Sequence, residues 1–279
     1  MISDLELEKI AVAVRQKTLE IIFKAGGGHT GGSLSSADIL VTLYHSIMNI
    51  DPKNPLNPDR DRFILSKGHS VESLYAVLAS RGFISDEALK TYGQFNSILA
   101  GHPTIKVPGI ELNSGALGHG LSVGVGMAMA AKRSTQNFKV YVLMGDGEQG
   151  EGSVMEAAAA AGHYHLDNMV AIVDRNQLQI SGPTEEVCKI DDLAAKYTAC
   201  GWSVTECDGH SVSELIKIFS TIPFDKDKPS LIIAHTIKGK GVSFIENQAN
   251  WHHKVPTEEQ FKMAYDELDK KMEELNHAR

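Results

Sequence analysis

The chain has little cysteine and lacks long hydrophobic runs. Only three cysteines occur in 279 residues, and none forms a CxxC pair, so neither a disulfide framework nor a thiolate metal site is expected. No apolar run is long enough to cross a bilayer, and the N-terminal residues do not have the basic-then-apolar pattern of a secretory signal. We therefore expect a cytoplasmic protein that does not contact membranes.

Basic clusters are also missing. The net charge is −8, which argues against nucleic acid as a main partner. An anionic ligand would need a local arrangement of backbone N–H groups, histidines and metal. The length fits one large α/β domain, and neither a repeat nor a flexible linker divides it. We predict a single domain over residues 1–279, with a helical tail at 257–279.

Strand-type and helix-type segments alternate along the chain. Apolar runs predict strands at 63–66, 139–144, 169–174, 203–207 and 231–237. Helical patterns occupy 4–24, 36–47, 121–132, 153–166 and 211–221, and the last helix opens on a capping box at 257–260. Glycine and alanine on the contact faces of 121–132 predict close packing on the sheet. This order predicts an α/β fold, a doubly wound parallel sheet flanked by helices.

The most informative pattern is the run GDGEQGEG at 145–152, followed by Asn176, thirty residues after Asp146. Each polar residue follows a strand, and a helix lies between them, so a βαβ unit brings both strand ends to one edge of the sheet. Oxygen ligands of this kind suit Mg²⁺ or Ca²⁺, and the glycines let backbone N–H groups approach a phosphate. A simple glycine turn is the alternative interpretation, but the strand context favours a metal–diphosphate site.

Histidine is abundant, with twelve in the chain. His29, His69, His102 and the pair His252–His253 stand beside glycine, proline or tryptophan in predicted loops, and we expect them to converge on one cleft. Imidazoles there suit a polyhydroxylated substrate and proton transfer. Alternatively each is an ordinary hydrogen-bonded loop histidine, and a zinc site has no supporting spacing such as HExxH. Histidines in or beside regular elements are interpreted as structural: His45, His163, His165, His210 and His235.

Several short motifs follow one another along the chain. They are KAGGGHTGGSLSS at 24–36, SKGHS at 66–70, GHP at 101–103, the glycine loop at 115–120, the Gly-Asp-Gly and Asn176 pair, and KGKG at 238–241. In this order they resemble the N-terminal domain of transketolase over nearly the whole chain. They are particularly similar to split transketolases, in which this domain is a separate subunit. The resemblance implies a thiamine diphosphate-binding fold, with thiamine diphosphate and Mg²⁺ (or Ca²⁺ or Mn²⁺) as cofactors.

The resemblance also implies roles for individual residues. The metal ligands would be the side chains of Asp146 and Asn176 and the carbonyl of Leu178. Cofactor contacts would come from His69, Gly115, Leu117, Gly147, Glu151, Asn176 and His252. The catalytic set would be His29, His69, His102, His252 and Glu151. In this set the histidines handle protons in the ketose channel, and Glu151 contacts the partner domain's catalytic glutamate.

The activity implied is transfer of a two-carbon unit from a ketose phosphate to an aldose. The chain ends before a pyrimidine-binding domain, so the expected partner is a C-terminal transketolase subunit, in an α2β2 assembly. Thr30, His119 and His253 depart from the residues common in the family (Pro, Gln and Gly), which puts the substrate preference in doubt but not the cofactor.

Other functions stay open at this point. The sugar could be a sulfonated or branched one, or the chain could be a non-catalytic or regulatory thiamine diphosphate-binding subunit. The α subunit of a 2-oxo acid dehydrogenase shares the diphosphate motif but fits the histidine loops less well. Deoxyxylulose-phosphate synthase fits the 24–36 segment less well.

Overall fold

The computed structural model describes residues 2–278, so Met1 and Arg279, the two ends of the predicted domain, lie outside the described residues. The strands are β1 (Arg62–Leu65), β2 (Val140–Gly145), β3 (Met169–Arg175), β4 (Leu178–Gln179), β5 (Gly182–Pro183), β6 (Ser203–Asp208) and β7 (Ser230–His235). The helices are α1 (Asp4–Ala25), α2 (Thr30–Ser35), α3 (Ala37–Thr42), α4 (Val71–Arg81), α5 (Asp86–Leu89), α6 (His119–Arg133), α7 (Gly152–His163), α8 (Thr184–Val187), α9 (Leu193–Ala199), α10 (Val212–Ser220) and α11 (Glu258–His277).

Five of the strands form one parallel sheet in the order β1-β2-β3-β7-β6, and β4 and β5 form a short antiparallel hairpin. Side chains alternate between the two faces of the sheet. Tyr141 and Leu143 belong to one buried cluster, whereas Val140 and Val142 belong to another. Both faces are therefore covered, as the apolar strands require. The predicted α/β fold with a parallel sheet between helices is confirmed.

Helix α6 packs as closely on the sheet as its small residues predict. A Cβ added at Gly124 would lie 2.7 Å from Val142 Cγ2, and one at Gly120 would lie 2.3 Å from Ser66 Oγ. Neither position has room for a side chain. The close contact places the first turn of α6 beside the end of β1.

Several predicted segments differ from the structure, and two of these differences bear on the site. Residues 30–35, expected in a loop, form helix α2, whose glycines serve packing: a Cβ at Gly31 would lie 3.0 Å from the carbonyl oxygen of Trp251. Strand β7 ends at His235 instead of residue 237, because the Ile237 N–H donates to His210 Nε2, 2.8 Å away, and leaves the ladder. The capping box of α11 forms as predicted, between Thr257 and Gln260. Within residues 2–278, no helix is both long and apolar enough to cross a membrane.

Candidate active site

Asp146 and Asn176 lie together at the carboxyl edge of the sheet. Strands β2 and β3 are adjacent, with Gly145 paired with Asp174, so the residues that follow them leave the sheet side by side. The Gln177 N–H donates to Asp146 Oδ2 at 2.5 Å, and the Leu178 N–H donates to Asn176 Oδ1 at 3.2 Å. The expected metal ligands therefore belong to one connected turn.

The donor set of this turn fits a hard divalent cation. It offers one carboxylate, one amide oxygen and one backbone carbonyl, the ligand types that Mg²⁺ takes together with phosphate oxygens and water. Asp146 is 1% exposed, and burial, together with the nearby Asp174 carboxylate, raises its pKa to about 6. A bound cation would stabilise its ionised form. Among residues 2–278, no group of three or more His, Cys, Asp or Glu side chains is placed to hold a metal ion.

Two buried lysines lie beside the donor set. Lys67 forms an ion pair with Asp174 and donates to the carbonyl of Gly32 at 2.9 Å. Lys238 Nζ lies 3.4 Å from the carbonyl oxygen of Leu178, and burial, followed by the charge of Lys67, lowers its pKa to about 8. The charge of Lys67 is balanced by Asp174, whereas the buried ammonium group of Lys238 favours an anion such as a diphosphate. Neither lysine has a role predicted from the sequence. The signal available was position, because Lys67 directly follows the predicted strand at 63–66 and Lys238 directly follows the one at 231–237.

The glycine loop at 115–120 is tied to the Gly-Asp-Gly turn by Glu148. This buried carboxylate accepts from the N–H groups of Gly118, at 2.8 Å, and Gly145, at 3.0 Å. Gly115 has φ +151°, and a Cβ there would lie 3.0 Å from His102 Cδ2. The two loops thus form one backbone cradle whose glycines leave no room for side chains. Glu148 has no role predicted from the sequence, because a glutamate in a glycine turn looks exposed.

The remaining cofactor and interface residues border this cradle. Leu117 is half-buried in the glycine loop, and Glu151 is exposed at the start of α7. A Cβ at Gly118 would lie 2.6 Å from Glu151 Cβ, so the glycine loop contacts the residue expected to meet a partner. A Cβ at Gly147 would lie 2.6 Å from Gln179 Oε1 in β4. The structure therefore gathers the predicted cofactor-binding residues around one edge of the sheet.

The loop histidines converge as predicted. The His29 ring centroid lies 5.3 Å from that of His69, 5.9 Å from His102, 5.7 Å from His252 and 4.5 Å from His253. The rings of His69 and His252 are 5.1 Å apart. His69 and His252 are half-buried, whereas His102 and His253 are exposed. These five residues are called here the histidine cluster, and the space that they border, from half-buried His69 and His252 to exposed His102 and His253, is called the cleft.

Burial and mutual repulsion keep the inner imidazoles neutral. Burial, then the charges of His253 and His102, lower the pKa of His29 to about 4. Burial, then Lys238, lowers the pKa of His252 to about 3. Lys238 Nζ donates to His252 Nδ1 at 3.0 Å, which leaves the ring proton on Nε2. At neutral pH the cluster can therefore both donate and accept hydrogen bonds.

A buried carboxylate orders the segment that carries His29. Glu72 in α4 accepts from the His29 N–H at 3.0 Å, from Ser33 Oγ at 2.7 Å and from Tyr92 Oη at 2.7 Å. Its carboxylate thereby joins α4 to α2 and to the loop before it. The role of Glu72 is not predicted from the sequence, although a charged residue within the apolar segment at 71–78 is a signal of a buried polar contact.

Four of the histidines interpreted as structural have hydrogen-bond partners. His45 pairs with Ser80, His165 with the carbonyl of Asp227, His210 with Asp38 and His235 with Glu206. Each lies in a helix, a strand or the turn beside one, and we give none of them a role in the cleft.

The family model described as transketolase, thiamine diphosphate binding domain, matches residues 7–272. The chain belongs to this family. Its relatives include one of the subunits of apulose-4-phosphate transketolase from Phocaeicola vulgatus, 55% identical over 94% of this chain and 93% of that one. Another is a subunit of 6-deoxy-6-sulfo-D-fructose transketolase from Clostridium sp. strain MSTE9, 42% identical over 95% of this chain and 97% of that one.

Solved transketolases share the fold. The enzyme from Campylobacter jejuni superposes with a TM-score of 0.90 and 34% sequence identity, over 96% of this chain. The chain spans 43% of that protein, so its match is to less than half of a full transketolase. Structure and sequence thus agree on the thiamine diphosphate binding domain of this family.

Proposed function

We propose that the chain is one subunit of a two-subunit transketolase that moves a two-carbon unit from a ketose phosphate to an aldose. The observation that carries this proposal is the joining of the metal–diphosphate donor set to the histidine cluster at one edge of the sheet. Lys238 links them directly, because its ammonium group lies within reach of both the Leu178 carbonyl and the His252 ring. One site therefore offers cofactor anchoring and substrate handling together.

The residues of the edge would hold thiamine diphosphate through its metal. Asp146, Asn176 and the Leu178 carbonyl would bind Mg²⁺, and the backbone near Gly115 and Gly147 would contact the cofactor. Lys238 would balance the negative charge of the diphosphate. When bound, the cofactor supplies the carbanion chemistry that breaks and forms carbon–carbon bonds beside a carbonyl.

The histidine cluster would manage the sugar. Neutral His29 can donate to one hydroxyl or carbonyl oxygen and accept from another, and His252 can donate through Nε2 while its Nδ1 accepts from Lys238. His69 and His102 extend this surface along the cleft. The half-buried position of the inner rings limits the access of water.

The names of the relatives support a modified sugar as the substrate and a second subunit as the partner of this chain. Two proteins named as subunits of apulose-4-phosphate transketolase, from Phocaeicola vulgatus and Actinobacillus succinogenes, are 55% and 47% identical to the chain. We propose apulose 4-phosphate, a branched ketose phosphate, as the first substrate to test, and a sulfonated ketose as the second. The partner would be a C-terminal transketolase subunit with the pyrimidine-binding domain, in an α2β2 assembly, and exposed Glu151 would meet it.

Co-expression and co-purification with a C-terminal transketolase subunit test the proposal. We expect the assembled protein, with thiamine diphosphate and Mg²⁺, to transfer two carbons from apulose 4-phosphate or 6-deoxy-6-sulfofructose to glyceraldehyde 3-phosphate, measured by product chromatography. The chain alone should not. Full activity of the chain alone would contradict the two-subunit proposal.

A regulatory or non-catalytic role is the alternative, and the histidines distinguish it. His69→Ala and His102→Ala should each reduce turnover by the assembled protein about 100-fold or more if the cluster handles protons in the reaction. His163→Ala, an exposed histidine at the end of α7, is the matched control. Unchanged turnover in the first two variants would favour the regulatory role.

A further inference from the structure

His253 occupies the outer side of the histidine cluster. Its ring lies 4.5 Å from that of His29, and its side chain is exposed. On the inner side of His29, the rings of His69 and His252 lie at 5.3 and 5.7 Å. The arrangement is a row of imidazoles from the half-buried pair, through His29, to exposed His253, and this exposed end of the row is called here the mouth of the cleft.

The backbone on both sides of His253 is fixed. Trp251 is buried, and the ammonium group of Lys254 lies 4.4 Å from the centroid of its ring. The carbonyl oxygen of Lys254 accepts from Thr30 Oγ1 at 2.6 Å, which ties the segment to the first residue of α2. The exposed side chain of His253 therefore projects from an anchored backbone, and its position beside His29 is set by the fold.

We propose that His253 is a specificity-determining residue that hydrogen-bonds the hydroxyl groups of the sugar beyond the transferred two-carbon unit. The proposal rests on the proposed function, because it places the sugar in the cleft with its reacting end toward the diphosphate edge. The rest of the sugar then extends past His29 toward the mouth, where His253 stands.

The chemistry of the cleft favours hydroxyl groups over a phosphate at this position. Burial and neighbouring charges keep His29 and His252 neutral at neutral pH by lowering the pKa of each ring, so His29 can donate and accept, and His252 can donate through Nε2. Hydroxyl groups also donate and accept, and they match such a surface. A branched ketose has the same number of hydroxyl groups as its unbranched isomer, but its hydroxymethyl branch places one of them in a different direction, where a residue at this position can bind it.

Substrates of two lengths test this role in the assembled enzyme. The long substrate is apulose 4-phosphate or xylulose 5-phosphate, whichever the wild-type protein uses better. The short pair is hydroxypyruvate as donor and glycolaldehyde as acceptor, which do not extend past the two-carbon unit far enough to reach the mouth. We expect His253→Ala to raise KM for the long substrate about tenfold with little change in kcat. The short pair should be turned over as by the wild type.

Two further variants separate recognition from structure. His253→Gln keeps a donor and an acceptor and should recover most of the loss, and His163→Ala should behave as the wild type. The thermal midpoint and the thiamine diphosphate affinity should not change in His253→Ala, because the imidazole is exposed and contacts the ring of His29. The thermal midpoint and the cofactor affinity would both fall in His253→Ala if His253 served mainly to hold its segment in place.

Each remaining outcome has a definite meaning. An unchanged KM for the long substrate in His253→Ala, or an equal loss with the short pair, would overturn the role of His253 while leaving the proposed function intact. A wild-type assembly that turned over neither long nor short substrates would overturn the proposed function, and the role of His253 with it.

Discussion

Replacing Glu72 by alanine tests whether the histidine cluster depends on a buried carboxylate. The Glu72 side chain is fully buried, and its oxygens accept from the His29 N–H, the Ser33 hydroxyl and the Tyr92 hydroxyl. Alanine would leave all three donors without this partner. Because one of them is the backbone N–H of His29, the change should loosen the segment that presents the central ring of the cluster.

The size of the effect follows from those three donors. A buried donor left unpaired costs about 1–3 kcal/mol. The two hydroxyls can rotate toward other acceptors or toward water entering the space, whereas the backbone N–H of His29 cannot. We therefore expect Glu72→Ala to lower the free energy of unfolding by about 3 kcal/mol, near the lower end of the range obtained by adding the costs of three unpaired donors.

Urea unfolding of the chain followed by circular dichroism measures this loss. Glu72→Gln keeps an oxygen acceptor in the same place and should cost about 1 kcal/mol. Tyr92→Phe is the matched control, since it removes a donor together with its hydroxyl and leaves no new donor unpaired, at a cost of about 1 kcal/mol. If Glu72→Ala proved as stable as Tyr92→Phe, the assigned role of the carboxylate would be refuted.

Three other perturbations have signs set by the structure. Since the pKa of His29 falls from 6.5 to about 4 on folding, the unfolded chain takes up the proton first. Stability should therefore fall as pH drops through this range, by on the order of 2 kcal/mol once the full shift, about 3 kcal/mol, is reduced for solvent screening of a partly exposed ring. His29→Asn should flatten a plot of urea midpoint against pH. Asp38→Ala would strand the buried Arg15 guanidinium and cost about 3–5 kcal/mol in denaturant unfolding, and adding Arg15→Met should recover most of it. Gly120→Ala would force a Cβ into Ser66 and should cost about 2 kcal/mol by thermal unfolding.

The sheet and its loops were predictable because they depend on local patterns. Continuous apolar runs separated by helices specify parallel strands, and loops after such strands gather at one edge. That rule placed Asp146 next to the Asn176 turn and brought the loop histidines into one cleft. Helix α2 was missed because glycine has low helix propensity, and here close packing against Trp251 outweighs that cost.

The buried charges were not predictable in the same way. Glu72, Glu148 and Lys67 are common surface residue types, and only the tertiary structure shows that each is surrounded by partners. The contact of Lys238 with both Leu178 and His252 joins residues from three separate segments. Such networks depend on distances between elements, and residue spacing along one chain does not contain those distances.

Calorimetric titration of the assembled protein with thiamine diphosphate tests the central claim most directly. The claim is that Asp146, Asn176 and the Leu178 carbonyl hold a divalent cation that anchors the diphosphate. We predict that thiamine diphosphate binds in the presence of Mg²⁺ and that binding is lost when the metal is chelated. In Asp146→Ala the affinity should fall at least about 100-fold, which corresponds to the loss of roughly 3 kcal/mol expected when a charged metal ligand is removed. Equal affinity with and without metal, or in wild type and Asp146→Ala, would contradict the account.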